Sequence, residues 1–153
     1  MSILNKIYND SNYQQKPYKE NADNNMDFIP KVIFTSDSEK SISIAFPGID
    51  GMEKMNHVMK VLKDINFESI CGVTTFAKED YSTSTSYIHG KKKSIKLPKS
   101  NVVKIILDNG DWVCIRPSGT EPKLKIYASA KRDNSDSAKY ACTDYLNFLK
   151  TFV

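Results

Sequence analysis

The segment with the most chemical potential is Arg116-Pro117-Ser118-Gly119-Thr120-Glu121-Pro122, followed by Lys123-Leu124-Lys125. It lies between two β-rich runs that a two-residue turn could have joined. Each residue type has a use if the ligand is a phosphate. Arg116 offers a planar fork of donors matched to two phosphate oxygens. Ser118 and Thr120 place hydroxyl donors on either side of Gly119. Gly119 removes a side chain where backbone and ligand must approach, and permits positive φ. Successive N–H groups of Ser118, Gly119, Thr120 and Glu121 can form an anion-binding concavity. Pro117 and Pro122 fix φ at both ends and limit the loop entropy lost on binding. Lys125 shares a strand face with Lys123 and adds a point charge. Glu121 is the misfit, because a carboxylate beside a phosphate is unfavourable. It is expected to turn away and brace the loop against Lys123 or Arg116. On composition alone, the same segment also reads as a rigid Pro/Gly turn that binds nothing.

The elements that would position this loop are legible around it. Residues 102–107 and 112–116 flank Asp108-Asn109-Gly110-Asp111, a hairpin signal in which both central residues are expected at positive φ. Residues 123–130 alternate, with Leu124, Ile126 and Ala128 on one face and Lys123, Lys125 and Tyr127 on the other. Ile42, Ile44 and Phe46 also mark a half-buried strand, and residues 73–76 a short one. Met52, Met55, Met59, Leu62 and Ile65 recur at helical spacing, predicting an amphipathic helix over 51–65 with His57 on its polar side. Ser135 is the expected cap of a final helix to Phe152, with Ala138, Ala141, Tyr145, Phe148 or Leu149, and Phe152 inward. Residues 80–96, with the triple lysine 91–93, read as a mobile surface loop. Upstream, residues 3–8 carry an apolar helical stripe, and 9–27 read as linker or loop. Residues 31–35 read as a short strand or a packed linker, and 36–40 as a turn. The expectation is an α+β fold, an antiparallel sheet with two helices packed on one face.

The 153 residues and net charge of +4 suit one ordinary domain. No apolar run approaches the ~20 residues of a membrane span, and the first residues lack the apolar core of a signal peptide. Cys71, Cys114 and Cys142 are too few and too scattered for a disulfide framework or a zinc site, and are expected to be buried thiols. Between His89 and Lys131 ten Lys or Arg face three acids, a local positive field suited to an anionic partner. Arg116 and Arg132 are the two arginines of the chain. Arg132 reads as solvated surface, which leaves Arg116 as the informative one.

The string Arg116-Pro117-Ser118-Gly119-Thr120-Glu121-Pro122-Lys123, then Leu124-Lys125-Ile126-Tyr127, closely resembles the phosphate-binding loop of the α-D-phosphohexomutases, the family of phosphoglucomutase and phosphomannomutase. Its flanks agree: Leu97-Pro98-Lys99-Ser100-Asn101-Val102-Val103 resembles the segment before that domain's hairpin, and residues 48–65 its first helix. The resemblance implies a four-domain enzyme that interconverts hexose 1-phosphate and hexose 6-phosphate through a bisphosphate. The first domain carries a phosphoserine, the second holds Mg²⁺ and the third reads the sugar. The fourth, with a fold likened to the TATA-binding protein's, grips the phosphate that is not transferred. The first three loops have no counterpart in this sequence. Ile49-Asp50-Gly51 lacks the further aspartates of a metal loop. The chain is therefore expected to comprise a helix tail of the third domain (1–13), a polar linker (14–40) and the fourth domain (41–153).

Carried over residue by residue, the resemblance places the substrate phosphate on Arg116, Ser118, Gly119, Thr120 and Lys125. It places no catalytic residue and no metal ligand in this chain. The parent is expected to be an isomerase and the fragment alone inactive. Mg²⁺ and hexose 1,6-bisphosphate are expected for the full-length enzyme. The implied partners are a hexose phosphate and the absent N-terminal domains, without nucleic acid or membrane, in the cytoplasm. Two other readings stay open: a stand-alone anion-binding or regulatory module, and a nucleic-acid binder in which Trp112 and Tyr127 stack on bases.

Overall fold

The computed structural model of the protein describes residues 36–153; the expectations for residues 3–8, 9–27 and 31–35 lie outside them. The described elements run β1 (Ser36–Ala45), α1 (Gly51–Asp64), β2 (Ser69–Ile70), β3 (Val73–Asp80), β4 (Thr85–Ile88), β5 (Lys91–Ser94), β6 (Val103–Leu107), β7 (Trp112–Pro117), β8 (Lys123–Arg132) and α2 (Ser135–Lys150). The strands form one sheet in the order β1-β8-β7-β6-β3-β4-β5, with β2 paired to β3 off this path. Every pairing is antiparallel. The α+β expectation holds.

Alternation along the central strands sends one set of side chains to each face. Ile105, Val113, Ile115, Leu124, Ile126 and Ala128 point to the face that carries both helices. There they meet Met55, Met59 and Leu62 of α1 and Cys142, Tyr145, Leu146 and Leu149 of α2. The opposite face has a smaller core: Ala77, Tyr81, Val102, Ile106, Trp112 and Cys114 are buried there beneath Ile95 and Leu97. Within it Glu79 and Lys104 are both buried and stand opposite each other in register. The Tyr81 hydroxyl donates to Glu79 Oε2, and the Lys104 ammonium lies 4.9 Å from the Trp112 ring centroid. Trp112, buried in this way, presents no face for base stacking.

Several local expectations are corrected. Ser36 to Lys40 are not a turn but the first half of β1, so the fold takes in the end of the expected linker. Their polarity belongs to an edge strand, where Asp37 pairs with Lys131 of β8 at 3.5 Å. The expected loop 80–96 contains the β4–β5 hairpin, with Lys91, Lys92 and Lys93 exposed on the sheet edge. At the β6–β7 turn Gly110 takes positive φ (89°) and Asn109 does not. Gly110 N–H donates to Leu107 and Leu107 N–H to Asp111, which makes a three-residue connection with glycine in the left-handed position. Helix α2 is capped by Asn134, whose side chain accepts from Ser137 N–H at 2.8 Å, rather than by Ser135. Met52 is exposed, and so is Phe152, at 37%. Cys71 is exposed too, since it sits at positive φ (50°) in the β2–β3 turn; Cys114 and Cys142 are buried.

Arg132 is not solvated surface. Its guanidinium donates to both oxygens of Asp111, at 3.0 and 2.7 Å. Asp111 is itself buried and also accepts from Tyr145 Oη at 2.5 Å and from Lys131 N–H at 3.2 Å. This network fastens the β6–β7 turn to the end of β8 and to α2. Burial and the Asp111 carboxylate together push the Tyr145 phenol up to about 12.

Candidate functional site

The loop 118–122 closes between β7 and β8, and its two ends are fixed by the register of those strands. Arg116 stands directly opposite Lys125, and Pro117 opposite Leu124. Beyond them Ser118 N–H donates to Lys123 C=O and Lys123 N–H to Glu121 C=O, each at 2.8 Å. The loop is also clamped to α1. Phe46 N–H donates to Pro122 C=O at 2.8 Å. A Cβ on Gly51, the first residue of α1, would lie 2.0 Å from Phe46 O and 3.2 Å from Pro122 Cβ. Only a residue without a side chain lets the helix start this close to the strand end. That approach makes the first turns of α1 one wall of a cleft.

The cleft, of about 430 Å³, lies between the 116–119 segment, Met52, Met55 and Asn56 of α1, and Ser100, Asn101 and Val102 ahead of β6. Among the described residues no Asp or Glu lines it. Arg116 is half-buried beside it, its guanidinium carbon 5.9 Å from the Tyr127 ring centroid. Its Nε is buried and has no hydrogen-bond partner among the described residues. Arg116 and Lys125, two cations at one register position, repel each other unless an anion lies between them. Glu121 does not neutralise them: its carboxylate is turned to Lys123 Nζ at 3.1 Å, one of the two arrangements expected for it.

Of the five residues expected to hold phosphate, the structure brings Arg116, Ser118 and Gly119 together in the cleft wall. Lys125 stands beside Arg116 in the sheet. Thr120 is exposed on the loop, its N–H 3.5 Å from Ser118 Oγ, and does not line the cleft. The expected run of four N–H donors is shortened, because that of Ser118 is engaged by Lys123. Gly119 is not at positive φ, and no atom lies within 4 Å of where its Cβ would stand. The fold therefore does not require glycine there. Asn56, Ser100 and Asn101 complete the cleft and were missed in the sequence. They lie in the segments 48–65 and 97–103 that carry the resemblance, but nothing in the sequence sets them against the loop.

A larger cavity of about 610 Å³ lies between the end of α1 and β3. Its two lysines are already engaged: Lys78 Nζ donates to the carbonyls of Lys63 and Ile65, closing the C-terminus of α1, and Lys63 Nζ donates to Ser82 Oγ. Asp64 and Glu68 also line it, which disfavours an anion. Among the described residues no cluster of three or more His, Cys, Asp or Glu is placed to hold a metal. The cleft's described lining offers a guanidinium, carboxamides and hydroxyls and no carboxylate, which is not the oxygen-anion set that Mg²⁺ takes. Among the described residues no helix is long and apolar enough to cross a membrane. Cys114, beneath the sheet near Arg116, is pushed up to about 12 by burial, so it is no nucleophile at neutral pH.

Comparison with known proteins bears on this geometry. A family model described as "Phosphoglucomutase/phosphomannomutase, C-terminal domain" matches residues 50–141. A phosphoglucomutase of Staphylococcus saprophyticus is 34% identical over 100 residues, covering 64% of this chain and 18% of that protein. A phosphoglucomutase of Staphylococcus aureus is 41% identical over 91 residues, 58% of this chain and 16% of that one. One of Staphylococcus haemolyticus is 34% identical over 110 residues, 71% of this chain and 20% of that one. The chain thus spans about a fifth of the length of these relatives.

Proposed function

This chain belongs to the phosphoglucomutase/phosphomannomutase C-terminal domain family, and from that premise we propose that its cleft grips the phosphate of a hexose phosphate that is not being transferred. The complete protein then interconverts hexose 1-phosphate and hexose 6-phosphate, with phosphoserine, Mg²⁺ and sugar-reading groups supplied by other domains. The observation that carries this reading is Arg116. It is a guanidinium with a buried, unpartnered Nε among the described residues, next to a second cation, at the wall of a cleft without carboxylates. A phosphate dianion accepts from the terminal N–H groups of the guanidinium and cancels the repulsion at once. The role is positioning and charge stabilisation, which is what phosphoryl transfer asks of residues that do not react.

A phosphate-keyed grip suits a reaction in which the sugar must be held by either end in turn, since the phosphate is common to both orientations. In the complete enzyme, removing the grip lowers kcat/KM and leaves phosphorylation of the serine intact. In the 153-residue chain, the test is titration with inorganic phosphate and with glucose 6-phosphate, followed by amide NMR shifts. One arginine and a few neutral hydrogen bonds give a Kd on the order of millimolar. Saturable shifts centred on 116–125 and absent in Arg116→Ala support the proposal. Absence of shifts at ~50 mM, well above that millimolar Kd, refutes a preformed phosphate site.

A further inference from the structure

The cleft has walls of different chemistry. On the loop side stand Arg116, Ser118 and the backbone of Gly119, which are donors toward an anion. The lining also includes Asn56, from the second turn of α1, and Asn101, from the segment that leads into β6. A carboxamide carries two N–H donors and a carbonyl acceptor. A phosphate dianion offers only acceptors, so it cannot satisfy the two carbonyl oxygens. A hydroxyl can, because it donates and accepts at once. Met52, Met55 and Val102 add apolar surface to the same lining, which suits C–H groups. The volume, about 430 Å³, falls in the range that accommodates a small organic ligand rather than a bare inorganic ion.

We infer that Asn56 and Asn101 form a hydroxyl-reading wall that binds the sugar ring next to the phosphate held by Arg116. The inference rests on the proposed phosphate site and adds to it. The domain binds the phosphate together with the hydroxyls nearest to it in either orientation of the sugar, and so adds to the sugar-reading groups of the other domains. Met52 and Met55 pack beneath the C–H edges of the ring. The two asparagines reach the cleft from different elements, so their spacing is fixed by the packing of α1 on the sheet and by the β6 lead-in.

The experiment compares two ligands on the full 153-residue chain, inorganic phosphate and glucose 6-phosphate, in the parent and in Asn56→Ala and Asn101→Ala. Asn56 is exposed on a helix, where alanine is well tolerated, so that variant keeps the test sound even if Asn101→Ala unfolds. In the parent chain glucose 6-phosphate is expected to bind about tenfold more tightly than inorganic phosphate, from one or two net hydrogen bonds. Each substitution is expected to weaken glucose 6-phosphate about three- to tenfold, with inorganic phosphate within about twofold. Equal affinity of the parent for both ligands overturns the inference and leaves the phosphate site standing. So does a variant that weakens both ligands alike, or neither. If the parent binds neither ligand, the phosphate reading fails and this inference fails with it.

Discussion

Replacing Arg116 by methionine separates a binding residue from a structural one by the sign of its effect on stability. Methionine keeps the unbranched apolar stem and removes the charge. Three terms change in the unliganded protein. Repulsion across the Arg116–Lys125 register position disappears, worth about 0.2–1 kcal/mol. The buried Nε without a partner is removed, relieving a penalty of about 1–3 kcal/mol. The guanidinium–Tyr127 contact is lost; at 5.9 Å it is near the limit of such interactions and contributes at most about 0.5–1 kcal/mol. The net expectation is stabilisation by about 2 kcal/mol, or a Tm higher by about 6–10 °C for a domain of this size. Binding moves the other way. Loss of charge-assisted hydrogen bonds worth about 1.5–3 kcal/mol raises the Kd for phosphate about 10- to 100-fold. Urea denaturation and phosphate titration on the same preparations read both quantities. A variant that loses more than about 1 kcal/mol while binding phosphate as before would refute the reasoning, because Arg116 would then be a structural residue of the β7–β8 loop.

Gly119→Ala is expected to change stability by less than about 0.5 kcal/mol, since nothing lies near its Cβ, yet to weaken phosphate binding measurably in the same titration. Gly51→Ala is expected to cost on the order of 3 kcal/mol, because its Cβ would meet Phe46 O at 2.0 Å; urea midpoints rank the two. Asp111→Ala leaves the Arg132 guanidinium without its buried carboxylate and is expected to cost about 3–5 kcal/mol in chemical denaturation. Tyr145→Phe tests the alkaline limb. The folded chain holds the phenol proton up to about 12, whereas the unfolded chain releases it near 10. Stability contributed by the neutral phenol is therefore complete below pH 10 and is lost as pH rises to 12, and the variant flattens this decline. A thiol reagent is expected to modify Cys71 in the native protein and Cys114 only after unfolding, as a timed labelling series reads out.

What the sequence discloses here follows from the range over which each interaction acts. Strand β8 is legible because its alternation is local, and β6 and β7 because two apolar runs, buried on both faces, flank an Asn-Gly turn. The β4–β5 hairpin is not. Lys91 to Ser94 are exposed throughout, so no apolar period marks β5, and its stability comes from backbone pairing to β4 and from a turn in which His89 and Gly90 both take positive φ. Arg132 is misread for a related reason: its partner Asp111 is 21 residues earlier, and only the β7–β8 pairing brings them together. The same division runs through the candidate site. Its phosphate half is contiguous, and every residue type from Arg116 to Pro122 bears on one chemistry, so it stands out without a structure. Its other half is tertiary. Asn56 on α1 and Asn101 before β6 reach the same cleft only through tertiary packing, Asn56 because Gly51 lets α1 begin against Phe46 and Pro122. A substitution at Gly51 should therefore disturb the asparagine wall while leaving the 116–122 string unaltered. Because the asparagines depend on helix placement and the string on strand register, a substitution at one part of the cleft leaves the geometry of the other in place.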